Sequence, residues 1–196
     1  MKLIVGTNNP KKLQEMQLAL GNSEMTFISY QDYLTIQERP IEIGTTYEEN
    51  ASIKAFFYQK KLNLPVLGDD GGLEIEAFPD LLGIKTHTFF QSKNSEKQNQ
   101  ELLNLFTELN QPRTITLHTT LVYAINKEKK LVTQASLTGE LVKSRGIGGY
   151  GFDSIIYVPK LHKTLAELTE KERFDLSPRI QALRCMIEKI QEELHD

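Results

Sequence analysis

The chain of 196 residues contains one cysteine, Cys185, and no tryptophan. A single cysteine excludes an internal disulfide framework, so we predict a protein of a reducing compartment, with Cys185 filling space in or near the core of the last helix. The four histidines show no metal-ligand spacing, which argues against a zinc centre.

Long hydrophobic runs and a basic excess are also missing. The first apolar run, 3–6, is much shorter than the roughly 20 residues of a membrane span, and it does not match a signal peptide. We therefore expect a soluble, cytoplasmic protein without a membrane partner. A formal net charge of −3 argues against a nucleic-acid partner, and an anionic ligand would need a local cluster of positive charge.

Segments typical of strands and helices alternate along the whole chain, with no linker and no repeat. This pattern predicts an α/β fold with 1–196 as a single domain. A strand at 2–7 is followed by Asn9 as a helix N-cap and Pro10 at the first helical position, and Gly21 ends that helix.

Further elements follow from local signals. Thr46-Tyr47-Glu48-Glu49 has the capping-box spacing, which predicts a helix over 47–62. The polar turn 127–130 separates two alternating stretches and predicts an antiparallel hairpin, so the sheet must be mixed. The other predicted elements are strands at 26–30, 65–68 and 73–78, a helix over 95–109, the hairpin strands 114–126 and 131–142, and a closing helix capped by Ser177 with Pro178 at its first position.

Asp69 and Asp70 stand between two apolar stretches, where we predict a strand-to-strand turn. Adjacent carboxylates repel each other, and a divalent cation with oxygen ligands would offset the repulsion. Gly71 and Gly72 would let a ligand approach the backbone. Taken alone, the Asp-Gly pair favours an ordinary hairpin turn, so both interpretations stay open.

The junction from Gly6 to Lys12 joins a strand to a helix, where backbone amides and the helix dipole favour an anion. Lys12 is placed to reach a phosphate, although Asn9 could simply cap the helix beside solvated lysines. Asn50 and Lys54 share one face of the next helix, as a polar site would require. Lys54 could equally be a solvated surface lysine.

The stretch 144–153 is rich in glycine and carries two aromatic residues, Tyr150 and Phe152, that could stack on a base. A flexible loop with one buried aromatic residue is the alternative. The polar residues Arg173, Ser177 and Arg179 lie at the end of one helix and the start of the next. They could place positive charge near an anionic ligand, and a solvated helix end would contain the same residues.

Taken together and in order, these motifs resemble the inosine triphosphate pyrophosphatase family over nearly the whole chain. The matching segments are Thr7-Asn8-Asn9-Pro10-Lys11-Lys12, Glu42-Ile43-Gly44, Tyr47-Glu48-Glu49-Asn50-Ala51 with Lys54-Ala55, Pro65-Val66-Leu67-Gly68-Asp69-Asp70-Gly71-Gly72-Leu73, Gly149-Tyr150-Gly151-Phe152-Asp153, Ala166-Glu167-Leu168-Thr169 and Ser177-Pro178-Arg179.

The resemblance implies an elongated mixed β-sheet flanked by helices, two lobes with an active-site cleft between them, and a homodimer. It implies magnesium-dependent hydrolysis of non-standard purine nucleoside triphosphates (ITP, dITP and XTP) to the monophosphate and pyrophosphate. Asp70 would be catalytic, and the metal ligands would be Glu42, Asp69 and Asp70. The implied substrate-binding residues are Thr7, Asn8, Asn9, Lys12, Lys54 and Gly71, with Tyr150, Gly151, Phe152, Asp153, Arg173, Ser177 and Arg179.

Several positions depart from the family pattern, mainly where a base would be read. Asn8 and Gly71 stand in place of glycine and serine, Thr86-His87 and neighbouring residues in place of a Ser-Ala-Arg element, Ser154 in place of proline, Arg173 in place of lysine, and Pro178 in place of histidine. The preferred base therefore stays open. The alternatives are a pyrophosphatase for a different nucleotide and a nucleotide-binding module with little turnover.

Overall fold

The computed structural model describes residues 1–20, 25–34, 38–107 and 112–195. The chain forms two compact units. The first comprises Met1–Gly71, Thr119–Ala135 and Pro178–Asp196, and the second comprises Gly72–His118 and Ser136–Ser177. Neither unit is a continuous stretch of chain, and whether 1–196 acts as a single domain stays a prediction.

Seven strands and six helices lie in the described part of the chain. The strands are β1 (Lys2–Val5), β2 (Thr26–Ser29), β3 (Val66–Ile75), β4 (Thr114–Ala124), β5 (Lys130–Leu141), β6 (Ile156–Val158) and β7 (Lys163–Thr164). The helices are α1 (Pro10–Ala19), α2 (Tyr47–Leu62), α3 (Thr86–Phe89), α4 (Ser95–Asn104), α5 (Glu170–Leu176) and α6 (Pro178–His195). No helix in these ranges is long and apolar enough to cross a membrane.

The strands form one sheet in the order β2-β1-β3-β4-β5-β6-β7. β1 is parallel to both β2 and β3, whereas β6 is antiparallel to β5 and β7. The sheet is therefore mixed, and the predicted α/β class is confirmed.

The helix starts follow the local signals. Asn9 accepts a hydrogen bond from the Lys11 amide and Pro10 opens α1. Thr46 and Glu49 form a reciprocal capping box at the start of α2, which has the predicted bounds. Gly21, the predicted end of α1, lies outside the described residues.

Each unit has its own apolar core. In the first unit, β1, β3 and β4 pack with α1 and α6 through Leu3, Val5, Met16, Leu67, Leu121, Leu183 and Met186. In the second unit the core contains Leu73, Ile75, Leu102, Phe106, Ile115, Leu141, Ile155 and Ile156.

The predicted turn at Asp69-Asp70 is wrong, because both residues lie inside the continuous strand β3. β3 pairs with β1 at Val66 and Leu67 and lies beside β4 in the sheet, and this pairing favours an extended chain. Gly71 and Gly72 are not among the described residues with positive φ, so they do not form the primed turn that an Asp-Gly pair favours.

Two other predictions need correction. Cys185 is exposed, because the inward positions of α6 are Ala182, Leu183 and Met186 and Cys185 lies on the opposite face. The helix predicted over 95–109 ends at Asn104, where the next three amides bond carbonyls three residues earlier and tighten the chain into turns. Leu109 lies outside the described residues.

Candidate active site

The strand order reverses beside β1, because β2 lies on one side of it and β3 on the other. In parallel sheets, ligands bind at the carboxyl ends of strands where the order reverses. Val5, the last residue of β1, pairs with Leu67 of β3. Asp69 and Asp70 therefore extend past the end of β1, at the point where the chain continues towards α1.

Asp69 is the centre of a buried charge network. Its Oδ1 lies 2.6 Å from Lys12 Nζ and its Oδ2 lies 2.6 Å from Arg179 Nε. Arg179 Nη1 also contacts Glu15 Oε2 at 2.5 Å. Burial acts to raise the pKa of Asp69, but Arg179 and Lys12 hold that pKa well below its ordinary value. Asp69 therefore stays ionised, and it connects α1 to α6.

Lys12 is less basic than an ordinary lysine. Burial lowers the pKa of its ammonium group, Asp69 opposes this shift, and the positive charges of Arg179 and Lys54 add to it. An anionic ligand beside Lys12 would offset the repulsion between Lys12 and the positive charges of Arg179 and Lys54.

Asp70 belongs to a second network. Lys54 Nζ lies 2.6 Å from Asp70 Oδ1 and 3.0 Å from Glu42 Oε2. Burial raises the pKa of Asp70, against the opposing effect of Lys54. Burial acts to lower the pKa of Lys54, but the two carboxylates raise it overall. Lys54 thus stays charged between Glu42 and Asp70.

Asp69 and Asp70 contact different cationic side chains in the structure. Successive side chains of a strand point to opposite faces, so Asp69 contacts Lys12 and Arg179 while Asp70 contacts Lys54. Within the described ranges, no three His, Cys, Asp or Glu side chains form a group that could hold a metal ion. Glu42 and Asp70 both approach Lys54 Nζ, and the metal-ligand set of Glu42, Asp69 and Asp70 stays a prediction.

The junction between β1 and α1 is shaped by its own side chains. Thr7 Oγ1 accepts from the Asn9 amide at 3.2 Å, and Asn9 Oδ1 accepts from the Lys11 amide at 3.0 Å. Asn8 forms hydrogen bonds with two tyrosine hydroxyls, those of Tyr30 and Tyr58. Gly71 follows Asp70 within β3.

In the second unit, the glycine-rich stretch folds around Asp153. Asp153 Oδ2 accepts from the Tyr150 amide at 2.9 Å and from Arg173 Nε at 2.6 Å. Gly149 has a φ of +70°, and a Cβ there would lie 2.1 Å from Asp153 Oδ2. Only glycine fits this position, because it combines a left-handed backbone with a close contact.

The two aromatic residues of this stretch have different surroundings. The Arg173 guanidinium lies 4.8 Å from the centre of the Tyr150 ring. Phe152 packs beside Phe90, with ring centroids 5.5 Å apart, at the edge of the second unit's core. Ser177 is buried where α5 ends. Arg179 contacts Asp69 and Glu15 of the first unit, and its role in substrate binding stays a prediction.

Sequence reasoning missed Glu15, Tyr30, Tyr58 and Asn99. Glu15 is a buried carboxylate with no local signal in the sequence. Tyr58 could have been found, because it lies four residues after Lys54 and so shares its helix face. Asn99 donates to the Gly151 carbonyl and to Ser154, while its Oδ1 has no partner among the described residues.

A mixed α/β sheet with paired lysines and carboxylates at the reversal of strand order has the features of an α/β protein that binds a phosphorylated ligand. The Ham1 family model matches residues 3–189. The chain belongs to the Ham1 family, which confirms the resemblance inferred from the motifs.

Individual relatives match over nearly their whole length. A dITP/XTP pyrophosphatase of Lactiplantibacillus plantarum is 35% identical over 192 residues, covering 97% of this chain and 95% of the relative. A dITP/XTP pyrophosphatase of Exiguobacterium sp. is 36% identical over 187 residues, covering 94% of each. The solved structure of a HAM1 protein from Coxiella burnetii has a TM-score of 0.85 at 30% identity, covering 98% of this chain and 99% of that one.

Proposed function

We propose that the chain hydrolyses non-standard purine nucleoside triphosphates (dITP, XTP and ITP) to the monophosphate and pyrophosphate. The observation that carries this proposal is the near-full-length similarity to proteins named dITP/XTP pyrophosphatase. The charge networks around Asp69 and Asp70 support it, because a polyphosphate needs positive groups and these networks contain Lys12 and Lys54.

The reaction joins a water oxygen to the α-phosphorus and breaks the bond from that phosphorus to the oxygen bridging to the β-phosphorus. Charge then accumulates on the departing pyrophosphate, and positive groups stabilise it. Lys12 and Lys54 are the ammonium groups we assign to the phosphate chain, beside the junction formed by Thr7, Asn8 and Asn9. Gly71 would leave space next to the reacting centre.

Asp70 is the group we assign to accept the proton of the attacking water. Its Oδ1 contacts Lys54, and its Oδ2 accepts no hydrogen bond from any residue within the described ranges. A raised pKa makes the Asp70 carboxylate a stronger base towards the proton of the water. Asp69 differs, because both of its oxygens are engaged by cations. We assign it to positioning Lys12.

The carboxylate oxygens around Lys54 are suitable ligands for a hard divalent cation. Glu42 and Asp70 both present carboxylate oxygens to Lys54 Nζ, and Mg²⁺ prefers such ligands with water and phosphate oxygens completing its shell. We propose magnesium, held by Glu42 and Asp70 together with the substrate. When bound, the metal would neutralise charge on the phosphates.

The nucleoside is assigned to the second unit. Tyr150, Gly151, Phe152 and Asp153 form one stretch, and Arg173 and Ser177 stand at the end of α5. The engagement of Arg179 by Asp69 and Glu15 leaves base recognition to these residues. A changed base preference is the alternative that this observation favours.

A substrate panel tests the proposed activity. The purified protein is incubated with Mg²⁺ and each of dITP, XTP, ITP, dATP, dGTP, dCTP and dTTP, and both products are identified. We expect monophosphate and pyrophosphate, with kcat/KM for dITP and XTP more than about tenfold above the standard nucleotides. A pyrimidine preference would favour the different-nucleotide alternative. Folded protein that binds nucleotide without product release would favour the binding module.

We also propose that the protein is a cytoplasmic homodimer that does not act on nucleic acid. The assembly and location follow the family expectation, and the net charge of −3 supports the absence of a nucleic-acid partner. Light scattering of the purified protein would test the dimer directly, and a monomeric mass across micromolar concentrations would contradict it.

A further inference from the structure

Two buried tyrosines of the first unit meet beneath the junction between β1 and α1. Tyr30 directly follows β2 and Tyr58 lies in α2, and they are 2% and 0% exposed. Their rings stack with centroids 3.9 Å apart and an interplanar angle of 27°. Two buried phenolic hydroxyls require hydrogen-bonding partners, because an unsatisfied buried hydroxyl is costly.

Both hydroxyls converge on one side chain. Tyr30 Oη donates to Asn8 Oδ1 at 2.5 Å, and Asn8 Nδ2 donates to Tyr58 Oη at 3.2 Å. The amide of Asn8 supplies one acceptor and one donor, which matches the two hydroxyls. Asn8 is the middle residue of the junction 7–9, so its hydrogen bonds to Tyr30 and Tyr58 hold the junction in place.

Tyr58 also contacts Gly6, the residue that precedes the junction 7–9. A Cβ on Gly6 would lie 2.8 Å from Tyr58 Cδ2, so the backbone at Gly6 rests directly on the ring. Lys54 is one helical turn before Tyr58 on the same face of α2. The same helix therefore supports the junction through Tyr58 and presents Lys54 to Asp70.

We propose that Tyr30 and Tyr58 are positioning residues that act through Asn8 and hold the junction 7–9 ready to receive a phosphate chain. The inference rests on the proposed function for its substrate. Ordering a short loop costs conformational entropy. If the loop is already ordered before binding, this entropy loss does not weaken the affinity. The hydroxyls should therefore contribute to binding rather than to the chemical step.

Hydroxyl-deletion variants test this role. Tyr30→Phe and Tyr58→Phe each remove one oxygen and keep the stacked rings, and Tyr33→Phe is the matched control because Tyr33 follows the same turn and is 46% exposed. We expect KM for dITP to rise about fivefold in each test variant, the factor for one neutral hydrogen bond, with kcat within about twofold of the original. Tyr33→Phe should leave both constants unchanged.

Coupling to Asn8 separates positioning from a general loss of stability. We expect Asn8→Ala to raise KM, and Tyr58→Phe to add little to it, because the two changes remove the same interaction. Urea denaturation confirms that each variant is folded under the assay conditions. An unchanged KM in Tyr30→Phe/Tyr58→Phe, an effect fully additive with Asn8→Ala, or a loss confined to kcat would overturn the inference.

A binding measurement with inorganic tripolyphosphate keeps the inference distinct from the proposed function. Calorimetry should give a Kd about fivefold weaker in each hydroxyl-deletion variant. If the protein hydrolyses no nucleotide but this dependence holds, the proposed function fails and the inference stands. If nucleotides are hydrolysed and tripolyphosphate binds all variants equally, or does not bind the unaltered protein, the inference is wrong.

Discussion

Asp69 and Asp70 are consecutive in the chain, yet their surroundings differ because their side chains leave β3 on opposite faces. Asp69 is enclosed by Lys12 and Arg179, and Asp70 shares Lys54 with Glu42. One carboxylate is thus suited to holding a lysine in place, and the other to binding a metal or accepting a proton.

Replacing Asp70 tests the assignment of the proton acceptor. We expect Asp70→Asn to lower kcat for dITP by at least about 100-fold, because general-base catalysis typically contributes 100-fold or more. Glu74→Gln is the matched control, since Glu74 is a more exposed carboxylate of the same strand. Product formation is followed at saturating nucleotide and Mg²⁺. A variant that keeps more than a tenth of the activity would contradict the assignment.

Glu15 is a buried carboxylate whose removal should be costly. Glu15→Gln leaves part of the Arg179 charge uncompensated in the interior, and we expect the free energy of unfolding to fall by roughly 3 kcal/mol. Urea denaturation measures the change. Glu188→Gln on the exposed face of α6 is the control and should stay within about 0.5 kcal/mol of the original chain. Equal stability of the two variants would argue against a stabilising role for Glu15.

At the scale of elements, α2 connects local signals to the candidate site. Its capping box begins the helix, and Asn63 ends it in the left-handed conformation with a φ of 52°. Lys54 and Tyr58 then lie on one face. The sequence predicted the bounds of α2 and the shared face of Asn50 and Lys54. It did not predict the contact between Tyr58 and Asn8, because these residues are 50 positions apart.

The capping box of α2 should respond to pH. Hydrogen bonds from Thr45 and Thr46 lower the pKa of Glu49, so its folded-state pKa lies below its unfolded value. Its stabilising effect is therefore complete above the unfolded pKa of about 4.3 and is lost as the pH falls through the folded pKa. We expect Glu49→Gln to be less stable than the original chain at pH 7, with the difference shrinking below about pH 4. Denaturation at both pH values measures it. Glu101→Gln, at an exposed position of α4, is the control for the loss of a surface carboxylate.

The contact between α2 and β3 depends on Gly68. A Cβ at this position would lie 2.2 Å from the Ala51 carbonyl oxygen and 2.8 Å from the Ala55 amide nitrogen. Because both atoms are backbone, Gly68→Ala must displace the helix, and we expect it to lower the free energy of unfolding by about 2 kcal/mol or more. Lys54 moves with the helix, so kcat should fall as well. Unchanged denaturation and kinetics would show that the helix is not held at this point.

At the scale of the whole molecule, the candidate residues separate by unit. The lysines, the acidic pair and Arg179 belong to the first unit, and the stretch around Asp153 with Arg173 belongs to the second. Each unit is assembled from separate chain segments, so residues close in sequence, such as Ser177 and Arg179, belong to different units. Whether Arg173 and Arg179 contact one ligand stays a prediction.

Nucleotide binding should stabilise the whole chain. A ligand present at 100 times its Kd adds about 2.7 kcal/mol to the free energy of unfolding, which corresponds to several degrees in Tm for a chain of this size. We expect dITP with Mg²⁺ to raise the Tm of Asp70→Asn, which turns over slowly enough for the measurement. The same concentration of dATP should raise it less. An equal shift with both nucleotides would indicate that the base is not recognised.

The sequence by itself determined the α/β class, the starts of α1 and α2, the mixed sheet and the family, because capping and alternation act between residues a few positions apart and the motifs are colinear. Only the tertiary structure decided that β3 is continuous and that Asp69 and Asp70 have separate partners. Arg179 reaches Asp69 across 110 positions and Glu15 across 164. Such partners depend on how the strands and helices pack, and a strand paired within a sheet stays extended where an isolated Asp-Gly pair would turn.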